Sequence, residues 1–188
     1  MWPMVSTNDV KPGMALELPD GLFQIVECQH VKPGKGKAFV RMKLKNLMSG
    51  AVIDKTFRAD ENVPEAIIDR RDHQFLYRDD LGYHFMNLET YAQFALAAED
   101  VGDAKDYIKE GATVMLPLFE DRPIGVELPT SVELAVTAAE PGVKGDRVSG
   151  ATKPVTLETG LVVHTPLFVD VGDTIKVDTR TGSYMTRV

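Results

Sequence analysis

Apolar and polar residues alternate with a period of two along most of this chain, in short runs separated by Gly, Pro, Asn and Asp. The first runs are Met14 to Leu18, Leu22 to His30, Ala38 to Leu47 and Val52 to Phe57, divided by Lys11-Pro12-Gly13, Pro19-Asp20-Gly21 and Ser49-Gly50. That spacing predicts a small barrel. The pattern breaks at Asn62-Val63-Pro64 and resumes as predicted strands at Ala66 to Asp69, Phe75 to Arg78, Tyr83 to Met86, Val114 to Phe119 and Ile124 to Leu128. Helical spacing is confined to about Leu88 to Ala98, where Leu88, Tyr91, Ala95 and Ala98 would share a face and Gly102-Asp103 would end it. After Pro129 come strands at Val132 to Thr137, Leu161 to Val163, Leu167 to Val169, Thr174 to Val177 and Tyr184 to Val188. The expectation is therefore an all-β chain with one short helix, folded as three small barrel domains over 1–64, 65–129 and 130–188.

Composition changes this picture mainly through the placement of charge. The whole chain carries a net charge of −7, yet residues 1–64 hold nine Lys/Arg against seven Asp/Glu. From Cys28 through Ile53 there is no acidic residue, while Lys32, Lys35, Lys37, Arg41, Lys43 and Lys45 are all basic. In the strand after the turn, Val40, Met42 and Leu44 alternate with Phe39, Arg41, Lys43 and Lys45, so one face is apolar and the other mainly cationic. Between the two strands Pro33, Gly34 and Gly36 form a turn that lifts Lys35 to its tip, with little side-chain bulk beside it. Such a protrusion suits a polyanion. A nucleotide-binding P-loop is excluded, because no Ser or Thr follows Lys35 or Lys37 and the glycine spacing is wrong.

Other chemistry is sparse. Cys28 is the single cysteine, which excludes an intramolecular disulfide and fits a reducing compartment. His30, His73, His84 and His164 are dispersed without metal-ligand spacing, and Asp79-Asp80 reads as a solvated turn. No metal, cofactor or independent active site is expected. The N-terminal MWPMVSTNDV lacks the basic and apolar regions of a secretory signal, and no apolar run is long enough to cross a bilayer, so a cytoplasmic protein without membrane association is expected.

Three groups of segments resemble bacterial elongation factor P across essentially the whole chain: KPGKGKAFVRMKLKNL with TFRA, then YHFMNLETY, then EPGVKGD, GLVVHTPLFVDVGDTIKVDTR and SYMTRV. The resemblance implies an SH3-like, KOW-like first barrel followed by two OB-fold barrels. It also implies a monomeric translation factor that contacts both ribosomal subunits, ribosomal RNA and the peptidyl-tRNA, and relieves stalling at consecutive prolines. Lys35 alone occupies the family's tip position, where it would reach the acceptor end of the peptidyl-tRNA and be a target for a lysine-modifying enzyme. Lys32, Pro33, Gly34, Gly36 and Lys37 would complete the tip. Arg41, Lys43 and Lys45 would contact RNA, as would Gly145, Asp146, Arg147, Tyr184 and Arg187 in the third domain. Arg147 departs from the family's usual Thr. A general RNA-binding module is the alternative, weakened because Phe39 is the only aromatic residue in the basic stretch. The two-domain hypusine-bearing relatives of archaea and eukaryotes are disfavoured by residues 130–188, which have no counterpart in them.

Overall fold

The computed structural model describes residues 2–141 and 150–188 and divides into two compact units, Met1–Arg70 with Pro117–Gly125, and Arg71–Leu116 with Val126–Val188. The first unit is built on a six-stranded sheet of β1 (Met4–Ser6), β2 (Ala15–Leu18), β3 (Gly21–Val31), β4 (Phe39–Asn46), β5 (Val52–Arg58) and β6 (Asn62–Ala66), ordered β1-β6-β2-β3-β4-β5. Its core follows from the alternation of β4: Val40, Met42 and Leu44 are completely buried and pack with Leu16, Phe23, Ile25, Phe57 and Val63. Trp2 stacks on Phe119 at 5.5 Å between centroids, and both belong to this unit.

The predicted break at Asn62-Val63-Pro64 is instead strand β6, paired with β1 at Met4↔Pro64 and with β2 at Ala15↔Ala66. Proline lacks a ladder donor, but Val63 and Ala66 fill the core from the same strand, and their burial overrides the local signal.

A second sheet has the order β11-β10-β7-β8-β9, from β7 (Asp69–Asp79), β8 (Gly82–Asn87), β9 (Gln93–Leu96), β10 (Thr113–Phe119) and β11 (Arg122–Pro123). Phe75, Tyr83, Phe85 and Leu116 centre its core. Gly82 is required sterically, since its φ is +130° and a Cβ there would collide with the Leu96 carbonyl. The helix expected at about Leu88 to Ala98 does not form. Asn87 Oδ1 accepts hydrogen bonds from the Glu89 and Thr90 backbone N–H groups, closing a turn that leaves Leu88 and Tyr91 exposed. This competition by a side-chain acceptor defeats the helical spacing. The real helix is one turn, α1 (Ala98–Val101), ended by Gly102 at φ +58° and continued as a 3-10 turn over Gly102–Asp106. Ile124 to Leu128 contribute a single bridge, Met115↔Glu127, rather than a strand.

The third sheet runs β14-β13-β12-β15-β16, from β12 (Ser131–Ala139), β13 (Thr152–Leu157), β14 (Val162–Pro166), β15 (Thr174–Asp178) and β16 (Tyr184–Arg187). Leu134, Val136, Val155, Leu157, Val163, Val169, Ile175 and Val177 form its core. The sequence pattern does not mark β13, and the strand it predicts at Leu167 to Val169 is a turn that buries Val169 and exposes Phe168. Within the second unit, Tyr107 packs on this third core, and Thr159 Oγ1 donates to the Asp106 carbonyl at 2.6 Å. Among the described residues the chain is thus mainly β, with three sheets and one short helix.

Candidate nucleic-acid interface

Strands β3 and β4 pair from Phe23↔Asn46 to Val31↔Phe39, and the seven residues 32–38 beyond the last pair form the tip. Lys32, Pro33, Gly34, Lys35, Gly36 and Lys37 are all exposed. Gly36 carries the turn at φ +121°, a conformation that disfavours any side chain. Gly34 has no positive φ, and a Cβ there would meet nothing within 4 Å, so of the two flanking glycines only Gly36 is demanded by the backbone. Among the described residues Lys35 makes no hydrogen bond or ion pair, so its ammonium is free to meet an outside partner.

Cross-strand pairing redistributes the basic face that the sequence presents. Lys43 pairs with Glu27 on β3 and faces Asp54 on β5, and its Nζ lies 3.7 Å from Glu27 Oε2. Arg41 sits between Gln29 and Thr56, and Lys45 between Gln24 and Val52, with no carboxylate opposite either. Charge is therefore locally balanced at Lys43 and uncompensated at Arg41 and at the tip. Immediately below the tip lies a cleft of about 440 Å³ whose lining includes His30, Lys32, Phe39, Asn8 and Asp60. Asn8 Nδ2 donates to Asp60 Oδ1, and Thr7 Oγ1 to the Arg58 carbonyl at 2.8 Å, which together tie the β5–β6 turn to the chain's start.

In the third sheet Tyr184 is half-buried against the core. Arg187 projects from the same strand, with Nη1 3.6 Å from Asp173 Oδ2 and its guanidinium 5.2 Å from the Phe168 ring centroid. Phe168 and Asp173 were not identified from the sequence, and no spacing signal ties them to residue 187. Gly145, Asp146 and Arg147 lie outside the described residues.

Several of the remaining ionisable groups are held by local contacts instead. His84 Nε2 lies 2.8 Å from Asp79 Oδ1, and this hydrogen bond holds the Asp79 carboxyl below its usual range. Arg180 does the same to Asp178, drawn down to about 2. His73 is completely buried and its Nδ1 donates to the Arg71 carbonyl. Cys28 Sγ is half-buried 3.7 Å from the Val10 carbonyl. Among the described residues no group of three or more His, Cys, Asp or Glu could hold a metal ion, and no helix is long and apolar enough to cross a membrane.

Three family models cover nearly the whole chain in the order of its sheets. They are the elongation factor P KOW-like domain over residues 6–63, its OB domain over 68–126 and its C-terminal region over 132–187. The chain belongs to the elongation factor P family. The elongation factor P of Carboxydothermus hydrogenoformans is 55% identical over 185 residues, covering 98% of this chain and 100% of its own. That of Pelotomaculum thermopropionicum is 54% identical over the same length, with the same coverage. The fold is shared with eukaryotic translation initiation factor 5A from Methanococcus jannaschii, at a TM-score of 0.57 and 21% identity, over 66% of this chain and 92% of that one. Family membership makes the chain a translation elongation factor with a ribosome-binding role, and its three sheets fall in turn within the KOW-like, OB and C-terminal regions of that family's multi-barrel fold.

Proposed function

We propose that this elongation factor P relieves ribosomes stalled at consecutive prolines by setting Lys35 against the acceptor end of the peptidyl-tRNA. The observation that carries this reading is the free, exposed ammonium of Lys35 at the end of a hairpin whose root is fixed by a completely buried row, Val40, Met42 and Leu44. Proline's ring fixes φ and makes it a poor partner in peptide-bond formation as donor and acceptor alike. Restraining the peptidyl-tRNA removes part of the entropic barrier, and each ~1.4 kcal/mol so removed speeds the step about tenfold. The factor supplies orientation and charge, while the ribosome supplies the reaction centre, so the chain is not itself an enzyme.

The rest of the molecule docks it. Lys32, Lys37, Arg41 and Lys45 would follow the RNA backbone, and Arg187 and the segment around residues 145–147 would engage RNA through the third domain. Its partners on this reading are both ribosomal subunits, ribosomal RNA, the peptidyl-tRNA and an enzyme that modifies Lys35. It acts in the cytoplasm as a monomer, in three domains divided near residues 64 and 129. Ribosome profiling of a strain in which the factor is replaced by the Lys35→Ala variant tests the proposal. Pauses should deepen at consecutive prolines and nowhere else; pauses spread evenly over all codons would contradict it.

A further inference from the structure

The inward-facing row of β13 reads Lys153, Val155, Leu157, all three buried, so a lysine occupies a position the fold would fill with an apolar side chain. Its cross-strand neighbour Thr165 is completely buried too. Withdrawing an ammonium from water is costly, and an apolar residue of similar volume usually serves stability as well or better. The position of Lys153 has another consequence. Its Nζ meets Asp170 Oδ1 at 2.8 Å, with the lysine side chain 6% and the aspartate side chain 77% exposed. A buried cation thus holds an exposed loop.

That loop leads to Arg187. Asp170 donates its backbone N–H to Asp173 Oδ2 at 2.9 Å, and Asp173 returns its own N–H to the Asp170 carbonyl at 3.1 Å. The same Asp173 Oδ2 stands 3.6 Å from Arg187 Nη1, and the guanidinium lies over Phe168, two residues before Asp170. Between them Val169 is completely buried, and Val136 fastens the far end of the turn, accepting from Gly172 N–H and donating to the Asp173 carbonyl. Arginine pays rotamer entropy whenever it is fixed, so a guanidinium set in advance binds more tightly than a free one.

We propose that Lys153 is a positioning residue: through Asp170 and Asp173 it holds the Arg187 guanidinium in the orientation used to contact the ribosome. The inference rests on the reading of Arg187 as a ribosome contact, and its test separates the two. Three variants of the full chain are needed, Lys153→Met, Arg187→Ala and the double substitution, each checked for folding by circular dichroism. Two quantities are read: affinity for purified 70S ribosomes, and the Nε–H resonance of Arg187 in nitrogen-15 NMR spectra.

Lys153→Met should move the Arg187 resonance to that of a freely rotating arginine and weaken ribosome binding roughly fivefold, the scale of one exposed charge contact. In the Arg187→Ala background it should cost nothing further, because groups acting through one another do not add. An unmoved resonance in folded Lys153→Met, or losses that add, would overturn the proposal. If Arg187→Ala leaves ribosome affinity unchanged, the contact reading falls, and the resonance alone still decides whether Lys153 positions the side chain. Should Lys153→Met fail to fold, Asp170→Ala cuts the tie to Lys153 at the surface while leaving Asp173 in place beside Arg187. A released Arg187 there supports the relay, and an unmoved one contradicts it.

Discussion

Two of the cations proposed to contact the ribosome and its tRNA, Lys35 and Arg187, are built in opposite ways. Lys35 stands on a turn beyond the last pair of the β3–β4 ladder, exposed and without a partner among the described residues. Arg187 lies within a strand, drawn toward Asp173 and laid over Phe168, with half of its side chain covered. The first spends nothing on being held and keeps its reach; the second gives up freedom before it binds. A side chain that must enter a narrow place gains from reach, whereas one that fixes the register of a large docking surface gains from being pre-set. Each should therefore fail differently when altered.

The largest effect should come from below the tip. Leu44→Ala removes a completely buried side chain from the hairpin's root, and thermal or urea melting should show a loss of about 2–5 kcal/mol. Lys35→Ala, by contrast, opens no cavity and should change stability by less than about 0.5 kcal/mol. A Lys35 variant that melts as badly as the Leu44 variant would mean that the tip is packed rather than free.

Salt dependence sharpens the comparison along β4. Replacing Arg41 with Ala should reduce the slope of log affinity for ribosomes against log salt by about 1, since an uncompensated phosphate contact is lost. Lys43→Ala should reduce it less, because Glu27 and Asp54 already balance Lys43 across the sheet. Equal slopes for the two variants would remove the distinction.

The smallest effect concerns the turn before β16, the strand that carries Arg187. Arg180 holds the folded Asp178 carboxyl at about 2, below the ordinary 3.8, so its contribution to stability is present above pH 4 and is lost as pH falls toward 2. Acid titration of the Asp178→Asn variant should lack that part of the decline, and the remainder of the pH profile should be unchanged. An identical profile in both proteins would show that the pair adds nothing to folding.

Strand alternation made the floor of the first barrel legible, because Val40, Met42 and Leu44 obey a strict period of two and the fold buries them all. The tip was legible for a similar reason, since few residues other than glycine and proline form so abrupt a turn. Four things were not. The Asn87 side chain closes a turn that looks helical by spacing alone. Pro64 hides β6, whose place is decided by the burial of Val63 and Ala66. The charge balance at Lys43 depends on Glu27 and Asp54, which only the sheet register brings opposite it. Arg187's partners were hidden likewise, fourteen or more residues away in sequence and joined to it by the β15–β16 pairing and the loop before β15.

Reconstituted translation tests the central claim most directly. The rate of peptide-bond formation would be measured on a Pro-Pro-Pro message and on a proline-free control, with wild-type protein and with Lys35→Ala, using protein that carries its native modification where one is found. The wild-type factor should accelerate the proline message preferentially, and Lys35→Ala should lose most of that gain, about tenfold or more in rate, while still binding ribosomes. Full activity of Lys35→Ala, or equal stimulation of both messages by the wild type, would contradict the account.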